Sequence, residues 1–248
     1  IVYNSMMAAS KKDITMPKSK CSGSRSNVTS KKLLDYLRNH IIKKDGPENA
    51  ILEKTNTRIR DQEQNIMGGS YHIPEDEYYN FLKLYHEEIV KKGGTEYLTE
   101  KQLSRGGPIL IDIDFRYEES SERKFTKDHI IDLICLYLEE LKKMFQFEEN
   151  VMIPIFVLEK PNIIQLEKGD TVVTKDGIHM IIGLQADRVV QQILRKRIVD
   201  KIGESWSDIP IVNTWENAFD DAVTKGHSNW QLVFSRKPTS DPVSYTHL

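Results

Sequence analysis

Long hydrophobic runs and cysteines are both scarce in this sequence. No apolar run approaches the roughly 20 residues that a transmembrane helix needs, so the sequence predicts no membrane span. Its first residues lack the continuous apolar stretch of a secretory signal. Cys21 and Cys135 are the only cysteines, too few for a disulfide framework or a cysteine-based zinc site. These absences favour a protein of a reducing, intracellular compartment.

Charge is nearly balanced overall but unevenly distributed. The net charge is −2 over 248 residues, yet residues 1–44 carry ten Lys and Arg against two Asp. We expect the Ser- and Lys-rich residues 1–29 to be a mobile basic tail and residues 30–241 to be a single folded domain that carries the function. Residues 242–248 are expected to be a non-native tail, because they resemble the translation of a sequencing adapter. The natural protein is then expected to continue beyond the domain.

The central feature of the sequence is a D-x-D triplet inside an apolar run. Gly107-Pro108 begins the run Ile109–Phe115, which is rich in β-branched residues and therefore predicts a strand. Residues two apart on a strand point to the same face, so Asp112 and Asp114 are expected to lie side by side, roughly 6–7 Å apart at the backbone.

Two neighbouring carboxylates in an apolar setting repel each other and lose hydration. A divalent cation between Asp112 and Asp114 removes both costs, and oxygen ligands suit Mg²⁺ or Mn²⁺. The simpler alternative is a solvated pair, since a D-x-D triplet alone is weak evidence for a metal site.

The elements after the D-x-D strand indicate the fold class. Thr126 can cap an amphipathic helix from about Lys127 to Phe145, and Val151–Leu158 reads as a second strand. Strand, helix and strand in succession predict an α/β (α+β) arrangement.

Three further stretches carry candidate functional residues. In the first, Asp176-Gly177 predicts a turn between two β-prone runs, flanked by Lys175 and His179. The second is a short helix capped by Thr214, expected to hold Trp215, Phe219, Asp220 and Asp221. The third is the basic pair Arg236-Lys237, which follows a last strand at Trp230–Ser235. Arg58 and Arg60 are candidate phosphate contacts as well, with a solvated pair as the simpler alternative.

Paired carboxylates, a histidine beside a lysine and a late aspartate are the parts that phosphoryl transfer to a nucleic acid end requires. Carboxylates hold a metal pair that clamps the attacking and leaving oxygens. Basic groups hold the triphosphate and stabilise its charge.

These motifs resemble those of the archaeo-eukaryotic primase superfamily, and in particular the primase half of the primase–helicases of nucleocytoplasmic large DNA viruses. Ile109–Phe115 matches the first motif, an apolar strand with D-x-D. Lys175–His179 matches the second, a small residue, a spacer and a histidine. Phe219-Asp220 matches the third. Residues 68–71 and 96–100 are also similar to the viral branch, and the resemblance covers about residues 50–238.

The resemblance implies a DNA primase or primase-polymerase with an RRM-like sheet beside an additional α/β unit. Asp112, Asp114 and Asp220 would hold Mg²⁺ or Mn²⁺, with Asp221 as a rival to Asp220. The implied contacts to the NTP or dNTP phosphates are His179, Lys175, Arg236 and Lys237.

The implied partners are a single-stranded DNA template and a C-terminal helicase domain, with no membrane. The expected location is the cytoplasmic or nuclear replication site of a virus-infected host cell. Thr174 and Asp176 depart from the second motif of cellular primases, and no zinc-binding cysteines or helicase P-loop occur in the sequence.

Two other functions are compatible with parts of the pattern. A glycosyltransferase also uses D-x-D with Mn²⁺, but the Lys175–His179 stretch and the late aspartate fit it less well. A non-catalytic nucleic-acid-binding module would use the basic N-terminal region and exposed aromatic residues on a sheet.

Overall fold

A computed structural model describes most of the chain. The described residues are 2–6, 30–46, 52–63, 65–102, 105–120, 122–149, 151–160, 162–169 and 171–238. Within them the chain forms two compact units, one of residues 2–6 and 105–227, the other of residues 30–102 and 228–238. The expected non-native tail at 242–248 lies outside the described residues, as does most of the expected mobile tail at 1–29.

The described residues form nine strands and six α-helices. In chain order they are β1 (Val2–Met6), α1 (Lys31–Asn39), β2 (Asn56–Arg58), β3 (Gly69–Tyr71), α2 (Glu75–Tyr85), β4 (Leu98–Glu100), β5 (Gly107–Glu118), α3 (Lys127–Met144), β6 (Met152–Glu159), β7 (Ile164–Lys168), β8 (Thr171–Ala186), α4 (Arg188–Ser205), α5 (Trp215–Ala218), α6 (Asp221–Thr224) and β9 (Trp230–Gln231). Helix α2 continues into a π-helical segment, His86–Lys91. None of these helices is both long and apolar enough to cross a membrane.

The first unit is built on an antiparallel-paired sheet of order β1-β6-β8-β5, with β7 also paired to β8. Because β5 and β6 are each antiparallel to β8, they run parallel to one another. Helix α3 connects them, so β5-α3-β6 is a split β-α-β unit with β8 inserted between its strands. The α/β class predicted from the sequence is confirmed.

One face of this sheet packs on α3 and α4. The alternate residues Ile111, Ile113 and Phe115 of β5 are almost fully buried, and they lie in one core with Leu133 of α3 and Leu194 of α4. The residues between them on β5 are left on the opposite face, and that face carries the predicted site.

The second unit has its own sheet and core. Its strand order is β3-β2-β4-β9, all antiparallel. Leu33 and Leu37 of α1 pack with Phe81 and Tyr85 of α2 and with Phe234. Ser30 caps the start of α1, because its Oγ accepts a hydrogen bond from the Leu33 N–H.

Three expectations from the sequence are corrected. Val2–Met6, placed in the mobile tail, form an edge strand whose backbone pairs with β6. Asp176-Gly177 is not a turn, because β8 runs unbroken through it. The single helix expected from Thr214 to Asp221 is two helices, since Phe219 leaves α5 to bridge with Ile113 and Asp220 then begins α6.

Candidate metal and nucleotide site

The predicted carboxylate pair lies on the face of β5 that does not contact the helices. Asp112 is half-buried and Asp114 is exposed, whereas Ile113 between them is completely buried. The strand alternation inferred from the sequence therefore holds, and both carboxylates project from the same side of the sheet.

Strand β8 places the second motif directly opposite this pair. In the antiparallel register Asp112 faces His179, Asp114 faces Gly177, and Arg116 faces Lys175. Cross-strand partners share a face and lie within reach of each other. The structure thus brings together four of the predicted site residues, two acidic and two basic, on one two-stranded ladder.

The Asp112–His179 pair is close and largely buried. His179 Nε2 lies 3.2 Å from Asp112 Oδ1, and the His179 side chain is only 10% exposed. The contact does not have hydrogen-bond geometry, and Asp112 Oδ1 is a buried oxygen without a hydrogen-bond partner in the part of the chain that the structure describes. A buried carboxylate oxygen left in this state gains from a cation ligand.

Asp114 has a cationic neighbour that the sequence analysis did not identify. Lys160, just after β6, places Nζ 2.9 Å from Asp114 Oδ1. Partial burial raises the pKa of Asp114, but the charge and hydrogen bond of Lys160 outweigh it and hold that pKa below its usual value. The sequence analysis used Lys160 only as the end of a strand, and no local pattern connects it with Asp114.

Gly177 explains how Lys160 reaches across β8. A Cβ at position 177 would lie 3.1 Å from Lys160 Nζ and 2.8 Å from the Ile113 carbonyl oxygen. The position therefore requires glycine because two groups approach its backbone closely. This is the physical basis of the small residue that the sequence motif contains.

The backbone of Asp220 is hydrogen-bonded to the strand that carries the D-x-D triplet. Its N–H donates a 2.9 Å hydrogen bond to the carbonyl oxygen of Asp112, and the preceding Phe219 is buried in the core. Arg195 of α4 fixes this segment by donating two hydrogen bonds to the Phe219 carbonyl. Arg195 is a second residue that sequence reasoning missed, because its role depends on tertiary packing alone.

The structure distinguishes Asp220 from its rival Asp221. Asp220 Oδ1 accepts a hydrogen bond from the Ala222 N–H and so caps α6. Asp221 forms an ion pair with Lys225 one turn further along α6. The residue whose backbone is bonded to the D-x-D strand is therefore Asp220.

The carboxylate oxygens of Asp112, Asp114 and Asp220 are ligands of the type that a divalent cation prefers. Asp112 supplies a buried oxygen without a hydrogen bond, Asp114 lies two residues away on the same face, and Asp220 adjoins Asp112 at the backbone. Among the described residues, no group of three His, Cys, Asp or Glu side chains already stands close enough to hold a metal ion. The residues fit the ion by chemical type, but their side chains do not converge on one point in this structure.

Asp176 has a structural role on the opposite face of β8. It is fully buried and receives two hydrogen bonds from Arg123, at 2.8 and 3.1 Å. Arg123 also lies 3.5 Å from Glu159. A buried carboxylate paired in this way fixes the strand that carries Lys175 and His179.

Arg236 and Lys237 belong to the second unit. The Arg236 N–H donates a 2.8 Å hydrogen bond to the Glu96 carbonyl, and Lys237 is exposed. Their predicted phosphate contacts stay a prediction.

Comparison with known proteins identifies the class and then the family. The structure places Asp112 opposite His179 on a split β-α-β sheet, so the first and second sequence motifs lie on neighbouring strands. The family model described as the C962R protein N-terminal AEP domain, AEP being archaeo-eukaryotic primase, matches residues 60–248. The chain belongs to this family, which confirms the resemblance drawn from its motifs.

A viral relative supports the same conclusion. The chain is 30% identical over 173 residues to the protein named "Putative helicase L207/L206" of Acanthamoeba polyphaga mimivirus. That alignment covers 68% of this chain but only 17% of the mimivirus protein. The chain therefore corresponds to a small part of a much longer relative.

Proposed function

We propose that this domain is a DNA primase or primase-polymerase that performs template-directed, metal-dependent nucleotidyl transfer. The observation that carries the proposal is the β5–β8 ladder, which places Asp112 opposite His179 with Asp114 and Lys175 on the same face, while the Asp220 N–H is hydrogen-bonded to the Asp112 carbonyl. Membership of the primase-type family supports the same reaction.

In this proposal Asp112, Asp114 and Asp220 hold Mg²⁺ or Mn²⁺. The ion, when bound, neutralises charge on the triphosphate and on the attacking and leaving oxygens. His179 and Lys175 bind phosphate oxygens of the incoming NTP or dNTP. The buried pairing of His179 with Asp112 keeps its ring in a fixed orientation, which limits the ways in which a phosphate can bind.

The wider context follows from the relative. A helicase-named protein of a mimivirus contains a segment like this one, so we propose that the domain serves viral DNA replication beside a C-terminal helicase domain. Its template would be single-stranded DNA, and its place of action the replication site, cytoplasmic or nuclear, of an infected cell. The glycosyltransferase alternative loses support, because its D-x-D usually ends a strand of a nucleotide-binding sheet, whereas this one lies inside an antiparallel ladder.

The direct test is primer synthesis. The purified chain is incubated with single-stranded DNA, labelled NTPs or dNTPs, and Mg²⁺ or Mn²⁺, beside Asp112→Asn and the control Asp128→Asn, which changes an exposed aspartate at the start of α3. We expect short products from wild type and control, and a loss of about 100-fold or more in Asp112→Asn.

Two results would overturn the proposal. One is unchanged incorporation by Asp112→Asn. The other is an absence of product from every variant together with an absence of metal-dependent NTP or dNTP binding, which would leave a non-catalytic nucleic-acid-binding module.

A further inference from the structure

The second unit contains a basic cavity whose lining includes none of the residues assigned to the metal and nucleotide site. It has a volume of about 610 Å³ and is lined by three short segments, residues 41–44 after α1, residues 57–60 at β2, and residues 67–70 leading into β3. This volume lies in the range of about 300–1,000 Å³ typical of ligand pockets.

Backbone pairing holds the three walls together. Arg58 pairs with Gly69 in the β2–β3 ladder. The Ile42 N–H donates a 2.8 Å hydrogen bond to the Ser70 carbonyl, so the segment after α1 adds to the edge of β3. The cavity is therefore a fixed part of the unit.

Its charge is strongly one-sided. Lys43, Lys44 and Arg60 line it with exposed side chains, and none of the described residues that line it is acidic. Arg58 also lines it, but its guanidinium is already paired with Glu96 at 2.5 Å and donates to the Met67 carbonyl at 2.6 Å. Arg58 thus supports the wall, and Lys43, Lys44 and Arg60 are the lining cations whose side chains are exposed.

The cavity also exposes apolar surface. Met67 is 72% exposed and Ile41 is 44% exposed, and both line the cavity. Position 68 has little room for a side chain, because a Cβ there would lie 2.8 Å from Arg60 Cβ. The glycine therefore leaves this part of the cavity uncovered. Cations beside exposed apolar groups are the combination that single-stranded nucleic acids bind, through phosphates and through base faces.

We propose that this cavity binds the backbone of a single-stranded nucleic acid, with phosphates on Lys43, Lys44 and Arg60 and a base or sugar against Met67. The inference rests on the proposed function, since it assigns a binding site to the template strand. A strand fits better than a free nucleotide, because a triphosphate carries a divalent cation and no carboxylate among the described residues lines this cavity.

The test is binding of a fluorescent 20-nucleotide oligo-dT to the full chain, measured by anisotropy in EDTA at several salt concentrations. The variant Lys43→Ala/Lys44→Ala/Arg60→Ala is compared with Lys83→Ala/Lys91→Ala/Lys101→Ala, which removes three positive charges elsewhere in the same unit. Thermal unfolding of both variants checks that each is folded.

We expect the cavity variant to bind at least about 10-fold more weakly and to lose about 2 from the slope of log K against log salt, since each phosphate contact contributes about 0.7 for single strands. The control variant should stay within about twofold of wild type. A second variant, Met67→Ser, should weaken binding by a factor that does not depend on salt.

Equal binding by the cavity variant and the control would overturn the inference. So would a cavity variant that loses NTP binding but keeps oligonucleotide binding, because the site would then belong to a free nucleotide. Asp112→Asn should bind the oligonucleotide normally in EDTA. Failure of both primer synthesis and metal-dependent NTP or dNTP binding, with intact, cavity-dependent oligonucleotide binding, would therefore reject the proposed function and leave this site standing.

Discussion

Lys160 Nζ lies 2.9 Å from Asp114 Oδ1, and the ammonium reaches this carboxylate by crossing the bare backbone of Gly177. A protein cation thus occupies one oxygen of the carboxylate pair that we assign to a metal. Any divalent cation that binds Asp114 through this oxygen has to compete with Lys160 or displace it.

Replacing Lys160 by Met should therefore strengthen Mn²⁺ binding in the absence of nucleotide. Because Asp114 is 52% exposed, the pair is worth little, and we expect a gain of about two- to fivefold, the equivalent of about 0.5–1 kcal/mol. Isothermal titration calorimetry with Mn²⁺ measures the change. Lys142→Met, on the surface of α3, is the control, and weaker Mn²⁺ binding by Lys160→Met would contradict the competition.

Gly177→Ala should destabilise the first unit. The new Cβ would lie 2.8 Å from the Ile113 carbonyl oxygen, a backbone atom that can move only with β5. Overpacking of this kind costs about 1–3 kcal/mol, measurable by urea unfolding.

Gly107→Ala on the neighbouring strand is the matched control, because nothing lies within 4 Å of a Cβ there and its effect should stay within about 0.5 kcal/mol. Adding Lys160→Met to Gly177→Ala should not restore stability, since the backbone obstacle remains. Full recovery in the double variant would mean that Lys160 alone is the obstacle.

The parts of the site that sequence predicts are those with local periodicity. Asp112 and Asp114 follow the alternation of one strand, and the helix predicted after Thr126 is present as α3. The α/β class follows from the order of strand, helix and strand. All of these depend on neighbours along the chain.

Sequence reasoning failed where contacts between distant segments decide the structure. Asp176-Gly177 has the composition of a hairpin turn, but Arg123, 53 residues away, holds the Asp176 carboxylate within a continuous strand. Phe219 leaves its helix because it bridges to Ile113 of β5. Neither partner can be inferred from the local pattern, and the same is true of Lys160 and Arg195.

Asp220 and Asp221 offer a sharp test of the third metal ligand. Asn at position 220 keeps the oxygen that caps α6 and removes only the charge, so Asp220→Asn should fold normally yet lose about 100-fold in nucleotide incorporation. Asp221→Asn breaks only the surface ion pair with Lys225, so its rate of nucleotide incorporation should stay within about threefold of the wild-type rate. Primer synthesis with both variants, alongside their thermal unfolding, decides between them, and the reverse ranking would assign the role to Asp221.

Glu140 should make the stability of the first unit depend on acid pH. Its side chain is buried between α3 and α4, where Lys143 at 2.7 Å, Lys201 and Arg197 at 3.4 Å surround it. Hydrogen bonds from Lys143 and Lys201 lower the pKa of Glu140 to about 2, from 4.5 in its ordinary state. Since the folded pKa is depressed, the contribution to stability is complete above about pH 4.5 and is lost as the pH falls toward about 2.

Glu140→Gln should therefore lower the free energy of unfolding at pH 7 by about 1–3 kcal/mol, between the values for exposed and buried ion pairs. The difference in free energy of unfolding between Glu140→Gln and wild type should become steadily smaller below about pH 4.5. Urea unfolding at pH 7, 5 and 3.5 measures it, with the exposed neighbour Glu139→Gln as the control. A difference that stays constant across these pH values would show that the carboxylate charge is not what joins the two helices, and that only the packing of the side chain matters there.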